Sequence, residues 1–317
     1  MSETIEIPVI DLAPLLAGGP GAAGVVTAIR EACEEIGFFC IVGHGVPEAI
    51  IQRIGERSRA FFDLDDVSKR RSAPAGELMG GVTYSPVASE ALAASRGERT
   101  PGDLKQMLDY GQGWPGNPWP EQPAGLREAH EAYFAALGDL AAHLRRAFAL
   151  AAGLPADAFE PSFQGHLSSL RVIDYPEPTA PPEPGQLRAG AHSDYGFVTI
   201  LLSQASSGGL QAQSREGAWI DVPALSGAFV VNIADALMRM TNDRWVSTPH
   251  RVVNPPAGAA NTRRQSIPYF HNPAPGALVR CLEPFVSAER PARYEPVTYA
   301  EYARQMAAAT HAVAATA

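Results

Sequence analysis

Apolar residues recur along this chain with two different periods. In the first half the period is helical. Val25, Ile29, Cys33 and Ile36 step by three and four, which predicts a helix over 22–36 with Gly37 as its cap. A second helix is expected over 48–62, with Ile51, Ile54 and Phe61 on one side. The clearest runs over 126–150, where Leu126, His130, Tyr133, Leu137, Leu140 and Leu144 form one stripe ended by Gly153 and Pro155. That helix should brace the outside of a sheet, and His130 on its stripe reads as a core histidine. Residues 7–12 and 38–42 read as strands. The turn Gly43-His44-Gly45-Val46-Pro47 follows the second of them, and His44 reads as part of it. Residues 63–71 are strongly charged and read as solvated. Residues 72–123 are rich in Gly, Pro and Ser and show little periodicity, the mark of a long functional loop.

From Ser169 the pattern changes. Short apolar runs at 169–175, 198–203, 209–213, 219–222, 229–233, 250–253 and 264–270 are separated by Gly and Pro. Such spacing predicts a β-sandwich or barrel. Residues 297–310 read as a helix and 307–317 as a frayed tail.

Composition adds exclusions. The 317 residues can hold one large or two ordinary domains, and 46 % hydrophobic against 19 % charged residues is a globular balance. A net charge of −9 argues against a nucleic-acid surface. Cys33, Cys40 and Cys281 are odd in number and form no CxxC, so a reducing interior fits better than a disulfide framework. No apolar run approaches the ~20 residues of a membrane span, and the N-terminus carries no signal-like segment. The expectation is a cytoplasmic protein, monomeric or a weak homo-oligomer, that engages neither membrane nor nucleic acid.

Candidate chemistry begins at Ala191-His192-Ser193-Asp194-Tyr195. In an extended strand His192 and Asp194 would share a face, so an imidazole and a carboxylate could converge on one point. His250, leading into Arg251-Val252-Val253, is the best third ligand. Two histidines and one carboxylate with open positions opposite suit non-haem Fe(II). Downstream, Arg264 and Ser266 alternate onto one strand face and form a fork suited to a carboxylate.

His-x-Asp, a distal His before Arg-Val, and Arg-x-Ser together resemble the Fe(II)/2-oxoglutarate-dependent dioxygenases of the isopenicillin N synthase-like group. The resemblance extends from Ile7-Pro8-Val9-Ile10-Asp11 to the tail helix. It includes the stretches 227–235 and 241–245, with Ala234 where the family usually has glycine. It implies a mainly β fold with flanking helices: a double-stranded β-helix, or jelly roll, with an N-terminal α/β segment packed on it. Residues 1–123 would carry the N-terminal region and the loops of the substrate mouth, and 124–317 the catalytic region, in one compact unit. Fe(II) would be held by His192, Asp194 and His250, and the cosubstrate 2-oxoglutarate by Arg264, Ser266 and Tyr175. Reaction with O2 would yield succinate and CO2 and hydroxylate, desaturate or cyclise a small molecule.

The stretches 81–86 and 103–106 resemble parts of the family's mouth segment. Tyr84, Arg171 and Phe270 are the substrate candidates. Arg171 shares a strand face with Ile173 and Tyr175, which suggests a carboxylate-bearing substrate. Asp235 reads as a turn residue, since the triad is complete without it. Two other readings remain open. A 2-oxoglutarate-independent oxidase could use the Arg264–Ser266 fork for the substrate's own carboxylate, or draw electrons from ascorbate. An inactive binding protein could keep the same barrel.

Overall fold

A computed structural model of the chain describes residues 6–72, 82–111, 119–203 and 208–314. The N-terminal part runs β1 (Val9–Asp11), α1 (Ala13–Leu16), α2 (Ala22–Glu35), β2 (Phe38–Val42), α3 (Glu48–Phe62) and α4 (Asp66–Ser72). Next come β3 (Thr83–Ser85), β4 (Gln106–Gly111) and the 26-residue α5 (Leu126–Ala151). The strand-rich part holds β5 (Ser169–Tyr175), β6 (Ala189–His192), β7 (Val198–Ser203), β8 (Leu210–Gln213), β9 (Trp219–Asp221) and β10 (Phe229–Ile233). It ends with α6 (Asp235–Met240), β11 (His250–Val252), β12 (Arg264–His271), the short pair β13 (Leu278–Val279) and β14 (Val297–Thr298), and α7 (Tyr299–Ala314). No helix among the described residues is long and apolar enough to cross a membrane.

Eight strands form the major sheet in the order β1-β2-β10-β7-β12-β5-β4-β3, and four form the minor sheet in the order β6-β11-β8-β9. This is the jelly-roll arrangement with helices on its outside. Strands from both sides of residue 123 pair within the major sheet, since β4 hydrogen-bonds to β5 and β2 to β10.

Alternation along the strands divides the core in two. Phe38, Cys40, Ile173, Tyr175, Leu201 and Val230 point inward and meet Ala189, Leu210, Ala212 and Val252 of the minor sheet. Phe39, Ile41, Leu170, Val172, Ile200, Val231 and Tyr269 point outward and pack under α2, α3 and α5. Both faces of these strands are therefore covered, which is why their sequences read as unbroken apolar runs. Close packing leaves no room at Gly37. Its φ is +66°, and a Cβ there would lie 1.8 Å from the Val246 carbonyl oxygen.

Two expectations change here. Residues 72–123 do not form one long loop, because β3 and β4 extend the major sheet and a 3-10 turn spans Leu92–Arg96. β4 gives no period-two signal because both its faces are buried apart from Asp109. The charged stretch 63–71 is not wholly solvated either. α4 begins within it, and Lys69 is buried and donates to Gln106 Oε1 at 3.0 Å. Gln106 in turn donates to the fully buried Asp174, which also accepts from Arg263 at 2.8 Å. This polar chain ties α4 to the outer face of the sheet. Gly81 lies outside the described residues.

His44 is structural, as expected: its Nδ1 accepts from the Val46 N–H and its Nε2 lies 3.0 Å from the Gly227 carbonyl. His130 is wholly buried, with Nδ1 on the Leu126 carbonyl at 2.9 Å and no partner for Nε2 among the described residues. Burial drives its pKa from 6.5 down to about 4, against the opposing Leu126 bond. Between those values the unfolded chain takes a proton that the folded chain refuses. Stability from this group is thus present above pH 6.5 and declines as pH falls toward 4. Between pH 7 and pH 5 the decline should be about 2 kcal/mol. Urea unfolding at the two pH values should show His130→Phe losing less stability than wild type by that amount; identical losses would mean that His130 does not titrate this way.

Candidate active site

His192 is the last residue of β6 and His250 the first of β11, and the two are direct antiparallel partners. Strand pairing alone therefore brings together residues 58 positions apart, with ring centroids 4.3 Å apart. Each ring is fixed from behind. His192 Nδ1 lies 2.8 Å from the Gly190 carbonyl and His250 Nδ1 lies 3.1 Å from the Thr248 carbonyl. A carbonyl oxygen only accepts, so each Nδ1 carries a proton and each Nε2 is the atom turned toward Asp194. Phe38 packs edge-on against His250 at 5.3 Å.

Asp194 lies beyond the end of β6, in the turn toward β7, so the same-face strand geometry expected for His192 and Asp194 does not hold. Hydrogen bonds aim the carboxylate instead. Its Oδ2 accepts from Thr199 Oγ1 at 2.5 Å and from Asn232 Nδ2 at 2.8 Å. Oδ1 is left 3.9 Å from both histidine Nε2 atoms. The three ligand atoms lie within 4.8 Å of one another. Two imidazoles and one carboxylate, converging from one side, fit Fe(II) with an open face; a structural zinc site would be closed by four ligands.

The electrostatics suit a metal. Burial, then the neighbouring His250, pushes the His192 pKa down to about 3, so the ring stays neutral and able to ligate. Burial opposes charge on Asp194, but the two histidines and the Asn232 and Thr199 bonds outweigh it and hold its carboxyl below the ordinary range. Asp235 is no fourth ligand. It starts α6 and accepts from Ser247 Oγ at 2.5 Å and Ser193 Oγ at 3.2 Å, behind the ligand turn.

The triad opens into a cavity of about 530 Å³ between the two sheets. At one end are Arg264 and Ser266 on the inward face of β12, both buried, paired in register with Tyr175 and Ile173 of β5. The Arg264 guanidinium lies over the Tyr175 ring at 4.9 Å, and Arg188 lies 5.9 Å from the same ring. Leu201, Leu210 and Val252 line the cavity as well.

The substrate candidates divide. Arg171 and Phe270 line the cavity, but Tyr84 does not. On β3 it is Thr83 and Ser85 that face inward, while Tyr84 turns outward, packs on Phe61 and donates to Gln106 Oε1. A strand reverses faces at each residue, and the reading chose the wrong parity. Arg171 is not awaiting a carboxylate. Its Nε and Nη2 donate to Asp109 at 2.6 and 3.2 Å, and its Nη1 reaches Glu90 at 3.4 Å. Thr199, Asn232, Glu90, Asp109 and Arg188 went unread. The first two had a signal, each being a polar residue flanked by apolar ones within a strand.

Comparison with known proteins agrees with this geometry. Residues 167–273 match the model of the 2OG-Fe(II) oxygenase superfamily, and residues 7–131 match that of the non-haem dioxygenase in morphine synthesis N-terminal region. The 2-oxoglutarate-Fe(II) type oxidoreductase hxnY of Emericella nidulans is 30 % identical over 315 residues, covering 94 % of this chain and 88 % of that one. Homoarginine-6-hydroxylase 2-ODD-C23 of Glycine max is 32 % identical, covering 84 % and 85 %. A full-length Neurospora crassa protein, solved in complex with alpha-KG and thymine, superposes with a TM-score of 0.84 at 26 % identity, covering 100 % and 99 %. The chain belongs to the Fe(II)- and 2-oxoglutarate-dependent oxygenases. It is thus an oxidoreductase of the dioxygenase class, with Fe(II), 2-oxoglutarate and O2 as its cofactor and cosubstrates.

Thr199 and Asn232 hold Asp194 in its ligating pose, and such supporting bonds are worth roughly 10–100-fold in metal affinity. Anaerobic Fe(II) titration should therefore show Thr199→Val and Asn232→Ala each binding iron more weakly by that factor, with unfolding curves near wild type. Unchanged affinity in both would mean that the two bonds do not orient the ligand.

Proposed function

We propose that His192, Asp194 and His250 hold the iron, that Arg264, Ser266 and Tyr175 hold 2-oxoglutarate, and that the enzyme hydroxylates a small molecule bound toward Arg171 and Phe270. The observation that carries this reading is the sharing of one cavity by the triad and the Arg264–Ser266 pair. With the metal and cosubstrate bound, substrate C–H, 2-oxoglutarate and O2 become C–OH, succinate and CO2.

The protein's part is positioning. The β6–β11 pairing sets the imidazoles, while Thr199 and Asn232 aim Asp194. Arg264 supplies a buried planar cation and Ser266 a hydroxyl at the register two residues away, a match for the far carboxylate of the cosubstrate. Leu201, Leu210 and Val252 give the shared cavity an apolar wall. Thymine in the Neurospora crassa complex and the name of the Glycine max relative support a small polar substrate. Residues 1–123 and 124–317 act as one unit, because the cavity takes walls from both. The three free cysteines support a cytoplasmic setting.

The test is succinate release from 2-oxoglutarate. Asp194→Ala should abolish it together with iron binding. Losing a buried charge-assisted contact costs about 2–5 kcal/mol, so Arg264→Ala should raise the 2-oxoglutarate KM about 30-fold or more. An unchanged KM would remove Arg264 from the cosubstrate site and favour the oxidase that works without 2-oxoglutarate.

A further inference from the structure

We infer that the substrate end of the cavity is built for a planar group that donates N–H hydrogen bonds to Glu90, and that it disfavours a carboxylate there. This rests on the oxygenase reading above and names the substrate class for the same site.

Five charged side chains meet at this end. Lys105 is wholly buried and contacts Glu90 Oε2 at 2.8 Å and Asp103 Oδ2 at 2.9 Å. Arg171 holds Asp109 through both carboxylate oxygens. Three carboxylates (Glu90, Asp103, Asp109) face two cations (Lys105, Arg171), leaving one negative charge in excess. That excess is not spread evenly. Asp103 is spent on Lys105 and on the N–H groups of Leu92 and Gly190. Glu90 differs: among the described residues its Oε1 receives only Arg171 Nη1, at 3.4 Å, which is at the outer limit of a hydrogen bond. Its side chain is also the most exposed of the five, at 25 % against 15 % for Arg171, 14 % for Asp109 and 1 % for both Lys105 and Asp103. Burial pushes the Glu90 carboxyl up, but Lys105 and Arg171 outweigh it and keep the group ionised.

The cavity therefore presents a carboxylate oxygen with acceptor capacity to spare. A substrate carboxylate would meet that oxygen and Asp109, with Arg171 already committed to both. An N–H donor meets no such repulsion. Planarity follows from the neighbour. Phe270 pairs in register with Ser169, two residues from Arg171 on the same inward strand face, and lines the same cavity. A flat group can stack on its ring while its edge reaches Glu90. Cyclic ureides and guanidinium groups share this chemistry. A ureide would present a ring N–H to Glu90, and a guanidinium a pair of N–H groups.

Calorimetry on anaerobic protein loaded with Fe(II) and 2-oxoglutarate tests the inference with three probes: uracil, propylguanidine and benzoate. The cosubstrate already fills the Arg264 end, so benzoate reports only on the Glu90 end. At least one N–H probe should bind about tenfold or more tighter than benzoate, a difference of about 1.4 kcal/mol. Uracil ahead of propylguanidine identifies the ureide, and the reverse order the guanidinium. Glu90→Gln should weaken the preferred probe about tenfold or more and leave the 2-oxoglutarate Kd within twofold of wild type. Benzoate binding as well as the N–H probes, neither N–H probe binding, or full retention of probe binding by Glu90→Gln overturns the inference. The 2-oxoglutarate titration separates the two claims. If the cosubstrate binds but the probe pattern fails, only the substrate class is wrong; if the cosubstrate does not bind, the oxygenase assignment of the site fails.

Discussion

The pairing of β6 with β11 is the constraint on which the site depends. It sets His192 directly opposite His250 across the ladder. The pair lies on the four-stranded sheet, while the groups that aim Asp194 come from the eight-stranded one, Thr199 from β7 and Asn232 from β10. Asp194 therefore sits between the sheets and is oriented by one toward ligands carried by the other. Sliding the sheets against each other would separate Oδ1 from the imidazoles before it disturbed either sheet. The inward apolar layer of Phe38, Tyr175, Val230, Leu210 and Val252 resists that slide by close packing. The outer layer under α5 keeps the large sheet from flexing.

How much of this could be read from sequence depends on whether a residue's role is local. The three long helices and most strands follow from apolar spacing alone, because period is a local property. His192 and Asp194, two residues apart, do converge with His250, but not through strand alternation. Asp194 is aimed by side chains from two distant strands, not by strand alternation, and no spacing rule contains that information. β4 was missed because its two faces are covered by different layers, so it alternates in contact but not in polarity. Tyr84 was misplaced because β3 is three residues long, too short to reveal its parity.

The charged groups were the least readable. Lys105, Asp109, Arg171 and Glu90 come from two adjacent strands and a connecting segment, and each alone resembles a surface residue. Only the register of β4 against β5, which places Asp109 directly opposite Arg171, shows that they neutralise one another inside the molecule. A lone arginine on an inward strand face suggests an anionic ligand. The same arginine facing an aspartate across a ladder suggests that its charge is already used.

These charges also give the cavity a direction. Arg264, with Arg188 beside the same Tyr175 ring, makes one end cationic. At the other, Glu90 and Asp109 line the cavity with Lys105 and Arg171, and Asp103, buried behind, holds Lys105. 2-Oxoglutarate carries two carboxylates, so in a featureless pocket it could enter either end. In the proposed binding mode the far carboxylate would be attracted by Arg264 and repelled from the Glu90 end, and in a poorly hydrated cavity neither effect would be strongly screened. On the proposed reading, opposite charge at the two ends of one chamber would sort an anionic cosubstrate from an N–H-bearing substrate.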